Sequence, residues 1–214
     1  MPFRLLRQWG ALLLGATGLA CSATQPVRVL TRNERRWIAS AGGPLLPNHV
    51  PTGVIPYTTV GTMWGARDNL TLSANAHVLA AAFGIAGVDV GAASRLTPQR
   101  GLRPEVTSQL QLYGFVGDGG SRLYPNLTAN ASWSLGRHTL AYAGSALTLG
   151  TGTPSLVATP LVGVQRDATR HVVVQLEGKW MAANVDTRHG LFEGENTVSG
   201  HGGLAAQLGL QWRR

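Results

Sequence analysis

Residues 127–135 read LTANASWSL, a stretch in which every second side chain is apolar. Successive side chains of an extended strand point to opposite faces, so these residues divide into two sets. The apolar set is Leu127, Ala129, Ala131, Trp133 and Leu135, and the polar set is Thr128, Asn130, Ser132 and Ser134. The stretch therefore predicts a β-strand with one apolar and one polar face.

The same alternation recurs along the rest of the chain and predicts an all-β fold. Ten segments show it: 34–42, 54–66, 70–78, 87–96, 106–116, 127–135, 138–149, 158–166, 172–180 and 204–212. Most of these segments have the length that crosses a bilayer as a tilted strand. The pattern is weaker in several of them, including 34–42 and 158–166, so eight strands is the second prediction.

Composition supports short strands and turns and excludes two other classes of protein. Only 13% of the 214 residues are charged, and 28 are glycine, whereas a soluble helical bundle needs abundant Glu and Lys. The hydrophobic share of 44% excludes a chain that is disordered by composition. The net charge of +8 favours contact with anionic membrane lipid or lipopolysaccharide, and we expect no nucleic-acid partner.

Three features favour a membrane barrel over a soluble sandwich. The polar faces carry Gln, Asn, Thr and Ser, which suit a hydrated barrel interior, and the connections alternate between short and long. Aromatic residues near strand ends are typical of interfacial girdles; here they are Trp37, Tyr57, Trp64, Tyr113, Tyr124, Trp133, Trp180 and Trp212. These features predict an antiparallel transmembrane β-barrel over residues 34–214.

At this point the chain resembles bacterial outer-membrane β-barrel proteins. The resemblance covers about residues 34–212 and is architectural, so it identifies no functional family. The last predicted strand, Leu204 to Trp212, is similar to the C-terminal insertion signal of that family, although Arg213 and Arg214 follow the aromatic residue. The resemblance implies a location in the bacterial outer membrane.

The N-terminus reads as a targeting segment. Arg4 and Arg7 precede an apolar stretch that is too short to span a bilayer, and the stretch ends at Cys21, the only cysteine. This pattern resembles the lipobox of bacterial lipoproteins, although Gly18 stands where that family prefers an aliphatic residue. The resemblance implies a signal peptide over 1–20, lipidation of Cys21 and a lipid-anchored tether over 21–33. The alternative is an ordinary signal peptide that is cleaved nearby, for example after Ala23.

Charged residues on the polar faces are the first candidate site. Asp89, Arg95, Glu177 and Lys179 all project to the predicted lumen. Buried charges must be paired, so we expect them to form a charge network that stabilises a narrow barrel. A proton or ion path is the alternative interpretation.

The connection from Ala182 to Gly203 is the second candidate site, because loops of this length tend to be functional or disordered. It combines acidic residues with an adjacent apolar pair, which predicts a surface for a basic protein or a cation-bridged glycan. The candidate residues are Asp186, His189, Leu191, Phe192, Glu193 and Glu195. A lid over the barrel mouth and a solvated surface loop are the alternatives.

No motif in the sequence has the context of a catalytic, cofactor or metal site. We therefore expect a non-enzymatic lipoprotein of the cell envelope with a structural or partner-binding role. The alternatives are a narrow ion or small-solute channel and a soluble, lipocalin-like ligand-binding lipoprotein.

Overall fold

The chain forms a closed antiparallel β-barrel of ten strands in which the first strand pairs with the last. The structure, a computed structural model, describes residues 24, 26–45, 57–82, 84–118, 120–150, 156–186 and 197–213. The strands are β1 Arg35–Pro44, β2 Tyr57–Arg67, β3 Leu70–His77, β4 Ala86–Thr97, β5 Glu105–Gly117, β6 Gly120–Ser134, β7 Thr139–Leu149, β8 Leu156–Asp167, β9 Val172–Asp186 and β10 His201–Arg213. One short helix, α1 Val78–Ala82, connects β3 and β4. Among the described residues no helix is long and apolar enough to span a membrane.

The prediction of a ten-stranded all-β barrel is confirmed, and the weak segments 34–42 and 158–166 correspond to the full strands β1 and β8. The prediction for the long connection is wrong at both ends. β9 continues to Asp186 and β10 begins at His201, and these two residues are ladder partners. Only 187–200 separate the strands. A bulge between His201 and Gly203 shifts the register, so the alternation of polar and apolar residues is interrupted at the start of β10.

The two ends of the barrel differ in their connections. We call one end the terminal rim, because β1 begins there and β10 ends there. This end also holds the turns β2–β3, β4–β5, β6–β7 and β8–β9. We call the opposite end, which holds the remaining connections, the loop end. Most of the connections at the terminal rim are tight: residues 68–69 join β2 to β3, and 168–171 join β8 to β9. The β4–β5 connection, 98–104, is the longest at this end.

The polarity of the barrel is the reverse of that of a soluble protein. Its outer surface exposes large apolar side chains, among them Leu176 at 60% and Leu208 at 45%. Its interior is lined by polar residues: Ser40, Thr59, Thr71, Ser73, Asn75, Thr107, Gln109, Gln111, Asn126, Thr128, Asn130, Gln175, Gln207 and Gln211 are all buried. Period two in the sequence therefore corresponds to an outer and an inner face, as predicted.

The aromatic residues divide between the two faces, which corrects the predicted girdle. Tyr57, Tyr113 and Tyr124 are buried inside the barrel. The tryptophans are outside: Trp37, Trp64, Trp133 and Trp212 lie near the terminal rim, and Trp180 lies nearer the loop end. A tyrosine contributes a hydroxyl that the polar interior can use, whereas the larger and more apolar indole suits the outer surface.

Residues 26–33 enter the barrel at the terminal rim, and we call them the N-terminal strap. The sequence predicted a tether for 21–33, but Val27 is buried against Tyr142 and Leu161 in the interior. Leu30 is buried as well, and its N–H donates to Thr71 Oγ1 at 2.7 Å. The polar and basic sequence concealed this placement, because two apolar residues three positions apart are enough to anchor the strap.

Arg28 holds the strap to the barrel wall through polar contacts. Its guanidinium donates to Gln99 Oε1 at 2.6 Å, to Ser132 Oγ at 3.1 Å and to Ser134 Oγ at 3.0 Å. Glu105 Oε1 lies 3.8 Å from Arg28 Nε and supplies the opposite charge. The strap is therefore fixed to β5, to β6 and to the β4–β5 connection.

Glu34 fixes the turn from the strap into β1. It accepts hydrogen bonds from Thr31 and from Arg36 Nε, the latter at 2.8 Å. Partial burial opposes its ionisation, but the hydrogen bond and charge of Arg36, with the Thr31 contacts, outweigh burial and lower the pKa of Glu34. A carboxyl with a lowered pKa stabilises the fold at neutral pH, and this contribution is lost as the pH falls through the folded-state value.

The interior is closely packed over Gly163, and a substitution there tests this packing. A Cβ added at Gly163 would collide with the Tyr142 ring and lie 2.6 Å from the Leu176 carbonyl oxygen. We expect Gly163→Ala to lower the free energy of unfolding by about 1–3 kcal/mol, because overpacking forces side chains or backbone to move. Urea unfolding in detergent micelles measures the change.

Gly178 on the neighbouring strand is the matched control. The nearest atom to a Cβ there is the Val162 carbonyl oxygen, at 4.0 Å. Gly178→Ala should therefore change the free energy of unfolding by less than about 0.5 kcal/mol. Equal losses for the two variants would contradict the packed interior.

Candidate functional site

Three of the four charges predicted for the lumen are buried there, but they do not form one network. Asp89, Glu177 and Lys179 are buried. Arg95 instead lies close to the terminal rim and donates to the Asp68 carbonyl oxygen at 3.1 Å. β4 carries Asp89 and β9 carries the Glu177–Lys179 pair, so the barrel separates them into two clusters.

The first is the Asp89 cluster, formed by Asp89, His77, Tyr57, Asn75 and Gln111. Asp89 Oδ2 lies 3.0 Å from His77 Nε2, and Asp89 Oδ1 accepts from Asn75 Nδ2 at 2.7 Å and from Gln111 Nε2 at 2.6 Å. The Tyr57 hydroxyl is hydrogen-bonded to His77 Nδ1. The carboxylate therefore accepts two hydrogen bonds on one oxygen and faces the His77 ring with the other.

The alternation of β3 places this cluster. Thr71, Ser73, Asn75 and His77 share its inner face, and Asn75 is the ladder partner of Asp89 on β4. The Phe115 ring packs against the His77 ring with centroids 4.9 Å apart, which fixes the imidazole plane. The sequence put His77 on the polar face but gave no sign that it would meet Asp89, because that contact depends on the register between strands.

The Asp89 cluster has the connectivity of an acid–histidine–hydroxyl relay. His77 Nε2 lies against Asp89 Oδ2, and His77 Nδ1 is hydrogen-bonded to the Tyr57 hydroxyl. However, Tyr57, His77 and Asp89 are 4%, 1% and 1% exposed. Burial to this degree keeps a substrate away from the Tyr57 hydroxyl. The Asp89 cluster therefore has a structural role: it joins β2, β3, β4 and β5 inside the barrel.

The second cluster is a hydrogen-bonded chain on the β7–β10 side of the interior. Lys179 Nζ lies 2.9 Å from Glu177 Oε1, and the Tyr142 hydroxyl donates to Glu177 Oε2 at 2.8 Å. Gln175 Nε2 donates to Tyr142 Oη at 2.9 Å, and Gln175 Oε1 accepts from Gln211 Nε2 at 3.1 Å.

This chain continues to the terminal rim. Gln211 Oε1 accepts from Arg36 Nη1 at 2.8 Å, and Arg36 pairs with Glu34 at 2.7 Å. The buried charges of β9 are therefore connected through neutral side chains to an ion pair at the rim. Such a chain satisfies buried polar groups that would otherwise be costly in the low-dielectric interior.

The remaining predicted sites are described only in part. Asp186 is exposed at the end of β9, beside His201 of β10. His189, Leu191, Phe192, Glu193 and Glu195 lie outside the described residues, as does Cys21. Within the described ranges no group of three or more His, Cys, Asp and Glu residues is arranged to hold a metal ion.

Comparisons with known proteins find no family and only distant structural similarity. No protein-family model matches the chain, and no curated protein matches it. A similar solved structure is the translocator domain of the autotransporter NalP from Neisseria meningitidis, with 10% identity and a TM-score of 0.45 over 97% of this chain and 95% of that one.

Two further structures are similar. A structure described as a de novo designed transmembrane β-barrel has 6% identity and a TM-score of 0.38 over 87% of this chain and 99% of that one. Ail, the attachment invasion locus protein of Yersinia pestis, has 9% identity and a TM-score of 0.28 over 86% of this chain and 100% of that one. Values this low carry no argument about function, which rests on the side chains described above.

The Asp89 cluster gives a stability prediction. Asp89→Asn replaces one acceptor oxygen by an amide group and removes the charge opposite His77. We expect it to lower the free energy of unfolding by about 1–3 kcal/mol, because the hydrogen bonds from Asn75 and Gln111 to a charged carboxylate become weaker bonds to a neutral amide. Asp68→Asn is the control, since Asp68 is exposed in a tight turn that accepts Asn equally well. Urea unfolding measures the free energy of unfolding of both variants. A loss for Asp68→Asn as large as that for Asp89→Asn would contradict a structural role for the Asp89 cluster.

Proposed function

We propose that this chain is an integral β-barrel of the bacterial outer membrane with a non-enzymatic structural or partner-binding role in the envelope. One observation carries the proposal: the barrel exposes its apolar side chains and encloses its polar ones. Val88, Leu110, Val162 and Leu176 are each 58–61% exposed on the outer surface. Soluble monomers rarely expose a continuous apolar surface of this kind, whereas a lipid-facing barrel requires it.

The interior argues against the two alternative functions. A soluble ligand-binding barrel needs a mainly apolar cavity, but more than half of the buried residues in the described barrel are polar or charged. A channel needs a continuous path, whereas the Asp89 cluster, the Glu177 chain and the N-terminal strap occupy the lumen. These features favour a closed, non-conducting barrel.

The asymmetry of the two ends supports an orientation. Outer-membrane barrels have short turns on the periplasmic side and longer loops outside. The start of β1, the end of β10 and mostly tight turns lie at the terminal rim, and four outward tryptophans lie close to it. The terminal rim is therefore proposed to face the periplasm, with the indoles at the level of the lipid headgroups.

A lipid on Cys21 is part of the proposal, and the structure limits how it could be attached. A Cβ at Gly209 would lie 2.6 Å from Thr24 Oγ1, so Thr24 contacts the inner wall of β10. Three residues span at most about 11 Å, so residues 21–23 would have to lead directly back to the rim. Intact mass of the mature protein decides this point: a start at Cys21 with added acyl mass supports the anchor, and an unmodified start at residue 24 rejects it.

Partner binding is proposed for the connection between β9 and β10, where Asp186 begins an acidic segment. We expect replacement of 187–200 by a short Gly/Ser linker to leave the barrel folded, because the β9–β10 ladder from Trp180 to Val172 lies outside that segment. Heat-modifiable gel migration checks folding. The replacement should abolish capture of whatever envelope protein co-purifies with the intact chain, and unchanged capture would place the binding surface elsewhere.

Membrane insertion itself is tested by the depth dependence of an introduced charge. Leu208 is half-exposed near the middle of β10, whereas Leu96 is exposed near the end of β4. In lipid vesicles we expect Leu208→Arg to cost about 2–4 kcal/mol in unfolding free energy and Leu96→Arg about 0–1 kcal/mol. Equal costs at the two sites would contradict a bilayer around the barrel.

A further inference from the structure

The terminal rim carries a concentration of exposed arginines, which we call the rim arginines. They are Arg32, Arg35, Arg67, Arg100, Arg103, Arg137, Arg166 and Arg170, and all are exposed. They come from β1, β2 and β8, from the turn before β1, and from the β4–β5, β6–β7 and β8–β9 turns. Positive charge is therefore distributed around the barrel at this end.

The acidic residues of the same end do not neutralise these arginines. Glu34 pairs with Arg36, Glu105 with Arg28 and Asp167 with Arg213 at 2.6 Å, and none of these arginines is a rim arginine. Asp68 is the remaining described acid at this rim. Within the described ranges no rim arginine forms an ion pair, so their charge is available to an external anion.

The loop end shows that this distribution is not a general property of the surface. Its described charges are Asp118, Asp186 and Arg122. Among the described residues the excess of positive charge therefore lies at one end of the barrel, which is the pattern expected when one membrane surface, rather than the solvent, selects the charge.

Several rim arginines lie where lipid headgroups would begin. Arg35 is the ladder partner of Trp64, which is exposed on the outer face. Arg166 follows the exposed Val164 by two residues and shares its outward face. A long side chain at the edge of an apolar band extends its charged end to the headgroups while its stem stays in contact with apolar groups.

The β4–β5 connection adds apolar groups beside two of the arginines. Leu102 is 95% exposed between Arg100 and Arg103, and these arginines exchange backbone hydrogen bonds of 3.1 and 3.0 Å. Trp133 Nε1 donates to the Leu102 carbonyl oxygen at 3.1 Å and holds the turn against the barrel. An exposed leucine beside arginines suits a lipid interface and does not suit a nucleic-acid surface.

We propose that the rim arginines bind the phosphates of anionic phospholipids in the leaflet at the terminal end. This inference rests on the proposed membrane placement. Guanidinium groups form paired hydrogen bonds with phosphate oxygens and stay charged at every physiological pH. The rim therefore recruits a shell of anionic lipid and fixes the depth of the barrel in the bilayer.

The test measures which lipids associate with the barrel. The refolded full chain is placed in phosphatidylcholine vesicles that contain spin-labelled phosphatidylglycerol or spin-labelled phosphatidylcholine. Electron paramagnetic resonance then gives the motionally restricted fraction of each label. We expect a several-fold preference for phosphatidylglycerol at low salt and its near loss at about 1 M salt, where the Debye length is about 3 Å.

Matched variants assign the preference to the rim. The variant Arg35→Gln/Arg100→Gln/Arg103→Gln/Arg166→Gln should lose most of it, and Arg166→Gln alone should lose part. Arg122→Gln removes an exposed arginine at the loop end and should keep the wild-type preference. Heat-modifiable gel migration establishes that each variant is folded, and the single variant keeps the test valid if the multiple one fails to fold.

Results that contradict the role of the rim arginines are distinguishable from a result that contradicts the membrane placement. Equal restriction of both labels by the wild-type chain, or an unchanged preference in the multiple variant, overturns the inference about the rim. The absence of any restricted lipid means that the chain is not inserted, and it overturns the membrane placement as well. Binding of the micellar protein to a DNA duplex without lipid preference would assign the rim to nucleic acid and also overturn the inference.

Discussion

The pairing of β1 with β10 is the interaction on which the rest of the structure depends. Their ladder runs from Arg36 opposite Arg213 to Pro44 opposite Ala205 and removes the two free edges of the sheet. An open edge in hydrocarbon leaves backbone N–H and C=O groups without partners, at several kcal/mol each. Once the sheet is closed, every strand has one face toward the outside and one toward a narrow lumen. The apolar residues of the period-two pattern then lie mainly on the outer face and the polar residues on the inner face.

Closure also determines what the interior must do. A lumen enclosed by ten strands is narrow enough for side chains to fill, so each inward polar group needs a partner from another strand. Asp89 finds donors on β3 and β5, and Glu177 finds Tyr142 on β7. The interior thus combines directional polar contacts with two small apolar clusters, one around Val27 and one around Leu30, while the outer surface is left to the surrounding lipid.

The sequence predicted the properties that depend on one strand at a time. The alternation in 70–78 identified the inner face of β3, and equivalent patterns gave ten strands. It did not predict relations between strands: His77 meets Asp89 because β3 and β4 share a register, and Arg95 misses that cluster because it lies near the rim. Tyr57 and Tyr113 were assigned to a girdle because an aromatic residue near a strand end fits either face. The N-terminal strap was missed for the same reason, since the partners of Arg28 lie 71 to 106 residues away.

The position of the strap has a consequence for the order of assembly. The strap directly precedes β1, yet Val27 packs against β7 and β8, and Arg28 against residues of β5 and β6. Contacts this distant in sequence form late, after the intervening loops have closed. Because the strap leads directly into β1, we expect it to enter the lumen together with that strand. Closure of the β1–β10 seam and filling of the lumen beside β5 to β8 are therefore coupled steps of assembly.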